Sequence, residues 1–433
     1  MTRTRTLRLR SGSRSADMAG IALIVFGGTG DLTQRKLYPS LYHLAQRGRL
    51  PKGFSLYGVS RKTLTDKEFR RNIERDIRAF AHGKIDEKAV ARVTGAAHYL
   101  SADLNHREGY ERLEARLKPG TLRLFYLALP PRLFTPIVEH LDRCGMARAL
   151  GAARSRVIVE KPFGYDYASG KKLERVLSAA FDEPQIFRID HYLGKQAVQD
   201  LLAYRRGHPA FERSLDAGHV AAIRIDALEP GGLEMRGPYY DGAGSIRDMT
   251  QNHLLQLLAF MTMKLPRTSS AATIQSARAK VLKAVRPFRN RVDLLIGQYR
   301  GYHSEPGVDK DSRTDTYSSL VFEVNDARWK GVPILVRTGK RLTRKLTAVT
   351  IEYKPKQGKR HVFQLDPHPH VANEMGDYER LLLAAFDGER ELFVSAAEVL
   401  NSWKAVDPFL KAAKRTKPIL YRKGSLGPKG KTA

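Results

Sequence analysis

The sequence predicts two domains in series: a doubly wound α/β domain over residues 20–181, and an α+β domain over residues 182–415 in which helices cover one side of a mixed sheet. Three observations predict this. Between Ile21 and Phe181, short continuous apolar runs alternate with amphipathic segments, the pattern of parallel strands buried on both faces by crossover helices. After Phe181 the apolar runs lengthen and alternate every second residue, as strands with one solvated face do. A chain of 433 residues with 42% hydrophobic content also supplies more than one core of about 150 residues.

In the first domain the strands are IALIVF, FSLYGVS, RLFYLALP and RVIVE. Each is followed by a helical stretch: LTQRKLYPSLYHLAQR, DKEFRRNIERDIRAF, RLFTPIVEHLDRC and ASGKKLERVLSAAF. In the second, VAAIRIDAL, RVDLLIGQY, TYSSLVFEV and TAVTIEY read as strands, interrupted by a strongly apolar helix around His253 to Phe260. Residues 378–400 add a helix, a turn and a helix, and no internal repeat is visible. Residues 1–19 and 416–433 are enriched in Lys and Arg and read as disordered basic tails. The first of these admits three readings: a plain basic arm, an organelle transit peptide, or residues upstream of a true start at Met18.

Composition narrows the function classes. No apolar run approaches the ~18 residues needed to cross a bilayer, so no membrane role is expected. The single cysteine, Cys144, excludes an internal disulfide framework and fits a reducing compartment, with cytoplasm as the expected location. With 75 Lys and Arg against 45 Asp and Glu, the formal charge of +30 attracts anions at long range, whether nucleic acid, acidic membrane or phosphorylated metabolites. The basic residues do not interleave with aromatics as single-strand binders require, which argues against nucleic acid.

The first strand runs into FGGTGDLTQRKL, which places Gly27 and Gly30 at a strand-to-helix turn. Glycines there let the main chain approach a pyrophosphate whose charge meets the helix N-terminus. A simple tight turn is the competing reading. The second strand ends in GVSRK, so Ser60, Arg61 and Lys62 stand where an acid would receive the ribose hydroxyls of NAD. A cation at that edge pairs with a 2′-phosphate, and the expected cofactor is NADP.

Further segments carry more charge than packing needs: VEKPFG, RIDHYLGK, LEPGGLEMRGPYYD, GSIRDMTQNHLLQLL and VPILVRTGKRL. Together with GGTGDLTQRKLYPSL, they resemble the NADP-dependent glucose-6-phosphate 1-dehydrogenase family, in separate blocks spanning residues 21–410. The resemblance implies a Rossmann domain and a C-terminal domain with a large, mainly antiparallel sheet. It implies oxidation of glucose 6-phosphate at C1 to 6-phosphogluconolactone, the entry step of the oxidative pentose phosphate pathway. His253 would then be the base and Asp190 the residue that orients it; His191, Tyr192 and Lys195 would take the 6-phosphate. Glu229, Asp248 and Lys340 would hold sugar hydroxyls, and Lys161, before a cis-linked Pro162, would touch both substrate and cofactor. Asp31 and Leu32 would join Gly27, Gly30, Ser60 and Arg61 around NADP. Without the family, His253 reads as a core histidine and Lys161 and Lys340 as surface lysines.

Departures from the family pattern stand beside it. Gln196 stands where the family usually has Glu, Asp200 stands near where it has Asn, and the segment from EYKPKQGKRHVFQL to NEMGDYERL is short. The family's sheet is its usual homodimer surface, so that shortening puts the interface, and a second structural NADP site, in doubt. The net basic charge is not a family trait and keeps open a drifted polyanion binder; another hexose phosphate, or NAD use, is the other open reading. The loop LDPHPHVA alternates Asp366, His368 and His370, but its prolines and the lack of further ligands argue against a metal.

Overall fold

The computed structural model describes residues 20–147, 155–268, 270–358, 360–366 and 375–430. The first sheet is built from β1 (Ile21–Phe26), β2 (Phe54–Ser60), β3 (Ala97–Ser101), β4 (Leu122–Leu127), β5 (Ser155–Val159) and β6 (Ile186–Ile189). These strands are mutually parallel. Every residue of β1 and β4 is buried, as strands covered on both faces must be. Burying side chains such as Phe26 or Leu124 contributes about 1.5–3 kcal/mol each.

The strand order, β6-β5-β4-β1-β2-β3, reverses direction at β1. The crossovers that follow β1 and its neighbour β4 therefore run to opposite faces, and the crevice they open lies beyond the C-terminal ends of these two strands.

The second sheet comprises β7 (Val220–Leu228), β8 (Val285–Pro287), β9 (Leu294–Tyr299), β10 (Tyr317–Val324), β11 (Ile334–Gly339), β12 (Leu346–Tyr353) and β13 (His361–Gln364). Two later strands, β14 (Phe393–Val394) and β15 (Ile419–Tyr421), complete the inventory. The order is β13-β12-β7-β11-β10-β9-β15, with β8 also on β10. The pairing is mainly antiparallel; β7 with β11 and β9 with β15 are the parallel pairs.

Three expectations change. The boundary at 181/182 cuts the first sheet too early: β6 extends it, and β14 adds an antiparallel edge from near the chain's end. β3 was not foreseen because AHYLS is short and carries a polar residue at its second position. Residues 416–430 are not a disordered tail. β15 pairs with β9 through its backbone, an interaction to which the surrounding lysines and arginines are irrelevant. The expectations for residues 1–19 lie outside the described residues, as do those for His368 and His370.

The helix foreseen around His253 is π-helical over Ile246–Leu254 and α-helical over Leu255–Thr262. Asp315 caps its start, accepting from the main-chain N–H of Ser245 at 2.8 Å and of Ile246 at 3.2 Å. Leu255–Thr262 is buried throughout, which explains its apolar sequence. Among the described residues no helix is long and apolar enough to cross a membrane.

Candidate active site

The turn after β1 is made by backbone. Gly27 N–H donates to Val59 O at 2.9 Å and Gly30 N–H to Gly27 O at 2.9 Å; the Thr33 hydroxyl also donates to Gly27 O, at 3.0 Å. Gly27 has φ +94°, and a Cβ there would lie 2.3 Å from the carbonyl oxygen of Ala128. Gly28, which the sequence did not single out, presses on β2: its Cβ would be 2.7 Å from Gly58 Cα. This cradle, at the point where the strand order reverses, fits a dinucleotide pyrophosphate.

At the end of β2, Ser60 Oγ receives the Thr29 hydroxyl at 3.2 Å and shares a hydrogen with Tyr99 at 2.7 Å. Arg61 and Lys62 are exposed beside it. Asp31 is exposed and paired with Arg35 at 2.7 Å, so its side chain is committed to the helix surface, next to the half-buried Leu32.

The second cluster is made of side chains. His253 is fully buried; its Nδ1 pairs with Asp190 Oδ1, and Lys161 Nζ stands 2.9 Å from its Nε2. An ammonium can only donate, so Nε2 is the acceptor and Nδ1 carries the hydrogen given to Asp190. Asp190 is also the N-cap of the short helix His191–Gly194, accepting from Tyr192 N–H at 3.0 Å. The Tyr192 ring stacks on His253 with centroids 4.3 Å apart, His191 meets it edge-on at 4.5 Å, and Lys195 Nζ lies 3.3 Å above the Tyr192 ring. The Lys161–Pro162 bond is cis.

Two buried carboxylates in this cluster are driven in opposite directions. Burial pushes Asp190 above the usual range, with His191 and Lys161 opposing it only in part. Asp248 is equally buried, but Lys161, Arg236 and Lys340 outweigh the burial and hold it well below the usual range. Lys161 Nζ donates to Asp248 O at 2.9 Å and lies 3.4 Å from its Oδ1, which Arg236 reaches at 3.3 Å. Burial, with Lys161 and Lys195 nearby, holds His253 well below its ordinary value, so the imidazole is neutral at pH 7. Burial likewise depresses His191, reinforced by His253 and Lys161, and brings Lys195 down to about 8.

Adjoining this cluster is a cavity of about 330 Å³ lined by Glu229, Gly232, Arg236, Tyr240, Lys340 and Lys345 among others. Lys340 Nζ donates to Glu229 Oε2 at 2.7 Å across the ends of β11 and β7. The site residues named from the sequence thus fall into two groups, the cofactor turn and the buried cluster with its cavity, with Lys161 in the latter. Arg236, Tyr240 and Lys345 were missed, although Arg236 and Tyr240 lie in LEPGGLEMRGPYYD; only their cavity-facing position marks them. Arg188, in the same stretch as Asp190, serves packing: it is buried between Glu174 and Glu183.

Ligand atoms of Asp190, His191 and His253 come within 4.8 Å of one another, but the ammonium of Lys161 at Nε2 opposes a metal cation there. Asp366 accepts the Thr347 N–H at 2.8 Å, a structural use of that carboxylate.

Residues 24–200 match the family pattern "Glucose-6-phosphate dehydrogenase, NAD binding domain", and residues 202–375 and 363–433 match "Glucose-6-phosphate dehydrogenase, C-terminal domain". The chain is 33% identical to glucose-6-phosphate 1-dehydrogenase of Chlamydia muridarum over 94% of each chain. It is similar to the crystal structure of the Mycobacterium avium enzyme of that name, with TM-score 0.85, 34% identity and 94% and 95% of the two chains covered. A glucose-6-phosphate dehydrogenase solved in complex with glucose 6-phosphate gives TM-score 0.84 at 30% identity, covering 96% of each chain. With both domain patterns matched in order and a relative above 30% identity covered along nearly its whole length, this chain belongs to the glucose-6-phosphate dehydrogenase family.

Proposed function

We propose that the protein is an oxidoreductase that converts glucose 6-phosphate to 6-phosphogluconolactone with NADP as hydride acceptor, the first step of the oxidative pentose phosphate pathway. The observation that carries this is the fully buried, neutral His253, held by Asp190 on one nitrogen and by Lys161 on the other, beside a cationic sugar-sized cavity.

The sugar's C1 hydroxyl takes the place of Lys161 at His253 Nε2 and gives its proton to that nitrogen. Asp190, already accepting from Nδ1–H, stabilises the imidazolium that forms. Lys161, displaced from Nε2, remains bound to Asp248 and sits between sugar and cofactor. Glu229, Asp248 and Lys340 hold the sugar hydroxyls so that C1 stays in one orientation. His191, Tyr192 and Lys195 take the 6-phosphate; the ammonium of Lys195, costly to bury alone, is stabilised by a dianion. Bound at the glycine turn, NADP supplies the acceptor for the C1 hydride.

The preference for NADP rests on the end of β2, where Ser60 is fixed by Thr29 and Tyr99 and exposed Arg61 can meet a 2′-phosphate. Action in the cytoplasm is supported by the free, half-buried Cys144. A homodimer through the large sheet is part of the same reading, supported by the outer edge of β13 with its exposed Val362, and light scattering after size exclusion tests it.

The deciding experiment follows reduced-nicotinamide absorbance with glucose 6-phosphate and either NADP or NAD. Turnover favouring NADP is expected. Absence of turnover with both, together with salt-sensitive binding of a polyanion, overturns the reading in favour of a drifted binder.

A further inference from the structure

The turn that carries Lys340 is held in an unfavourable conformation by two clamps. Arg341, the next residue, has φ +54°, the left-handed region, which costs a non-glycine residue about 1 kcal/mol or more. On one side the turn is tied to the Glu229 loop: Arg341 N–H donates to Gly231 O at 2.9 Å and Leu342 N–H to Glu229 O at 3.0 Å. The other clamp is the C-terminal segment. Gly424 N–H donates to Arg341 O at 2.8 Å, Thr343 N–H to Ser425 O at 3.0 Å and the Thr343 hydroxyl to Gly424 O at 2.7 Å.

Tyr421, in β15, joins this clamp to the site. Its ring is buried among Tyr299, Tyr317 and Leu342, and its hydroxyl donates to the main-chain oxygen of Lys340 at 2.7 Å while lying 2.9 Å from Thr316 Oγ1. Thr316 in turn accepts the Lys340 N–H at its own main-chain oxygen, 3.0 Å away. Both polar groups of the Lys340 peptide are thus fixed by the Thr316–Tyr421 pair. The residue before Thr316 is Asp315, the cap of the helix that bears Asp248 and His253. The Tyr421 phenol therefore lies at the junction of the sugar-binding turn and the support of the base-bearing helix, where Tyr240 approaches from the cavity side, its hydroxyl 3.4 Å from Asp315 O and its ring 5.4 Å from Lys340 Nζ.

We infer that the C-terminal segment 419–425 is part of the sugar site, with Tyr421 as a positioning residue that aims Lys340 at the substrate. This rests on the sugar-binding role proposed for Lys340. An interaction that serves substrate and transition state alike raises KM, not kcat, when lost.

Tyr421→Phe removes the hydroxyl and keeps the ring. The expected result is a rise of about fivefold in KM for glucose 6-phosphate, with kcat and KM for NADP within about twofold. In a Lys340→Met background the same substitution adds nothing, because the group it positions is gone. Truncation after Pro418 changes the same KM in the same direction and by more. A Tyr421→Phe protein with unchanged KM, alongside a Lys340→Met protein with raised KM, overturns the inference while leaving the sugar site intact. Equal losses in both KM values and kcat, with a lowered melting temperature, also overturn it by showing a merely structural tyrosine. If Lys340→Met leaves KM unchanged, the sugar-site reading fails and takes the inference with it.

Discussion

The cofactor turn and the sugar cavity are built by different means. Around Gly27 most contacts are main-chain hydrogen bonds and close approaches of backbone to backbone, joined by the buried Thr33 hydroxyl, while Asp31 points to solvent. Around His253 nearly every contact is between side chains, most of them charged and buried, brought from segments far apart in the chain. Backbone can present fixed dipoles to a charged diphosphate without a desolvation cost of its own. Proton transfer needs groups whose affinity for a proton is tuned, and burial beside chosen partners does the tuning. Asp190 and Asp248 make the point within one cluster: similar burial, opposite shifts, because at Asp190 burial outweighs His191 and Lys161, whereas at Asp248 Lys161, Arg236 and Lys340 together outweigh burial.

The largest effect should come from breaking the side-chain end. His253→Asn is expected to lower kcat by about a thousandfold, within the range for a lost general base, while binding of NADP and of glucose 6-phosphate, measured by fluorescence or calorimetry, changes little. An unaltered rate would remove His253 from the role of base.

Breaking the backbone end should look different. Gly27→Ala forces a side chain into φ +94° and onto the Ala128 carbonyl, so NADP affinity should fall about tenfold or more and the melting temperature by several degrees. Sugar affinity should hold in direct binding titrations. Equal losses at both ends would mean that the two regions are less separate than their construction indicates.

A pH titration sharpens the contrast without mutation. Lys195, brought down to about 8 by burial, is an ammonium below that pH and loses its charge above it. KM for glucose 6-phosphate should therefore rise above about pH 8, by up to about tenfold per unit, while KM for NADP stays flat. His253, lowered from its usual value, should place the acid limb of kcat/KM below about pH 6.5, the ordinary imidazole range. The smallest effect is expected from Asp31→Asn, which removes only an exposed pair with Arg35 and should leave KM for NADP within about twofold.

Apolar runs and glycine spacing were enough to place β1, β2, β4 and β5 and the turn at Gly27, because each depends on neighbours in sequence. Gly28 was not legible, since a Gly-Gly pair does not say which glycine packs its Cα against Gly58 of β2. β15 was misread for a related reason: its lysine-rich flanks resemble disorder, and its stability comes from the backbone of β9. At the active site the residues themselves stood out in blocks of motif, but the pairing of Asp190 with His253 came only from the family resemblance and not from spacing.

What the sequence by itself determined is therefore the alternation of buried strands and helices, the glycine turn and the stock of candidate acids, bases and cations. Only the tertiary structure decided that Lys161 and Asp190 would flank the two nitrogens of His253, and that Tyr421 would hold the Lys340 turn. Lys161 and Asp190, 92 and 63 residues from His253, meet it only when its helix packs at the ends of β5 and β6, Tyr421 meets Lys340 across 81 residues only when β15 completes the second sheet, and the low dielectric that shifts proton affinities exists only in the folded interior.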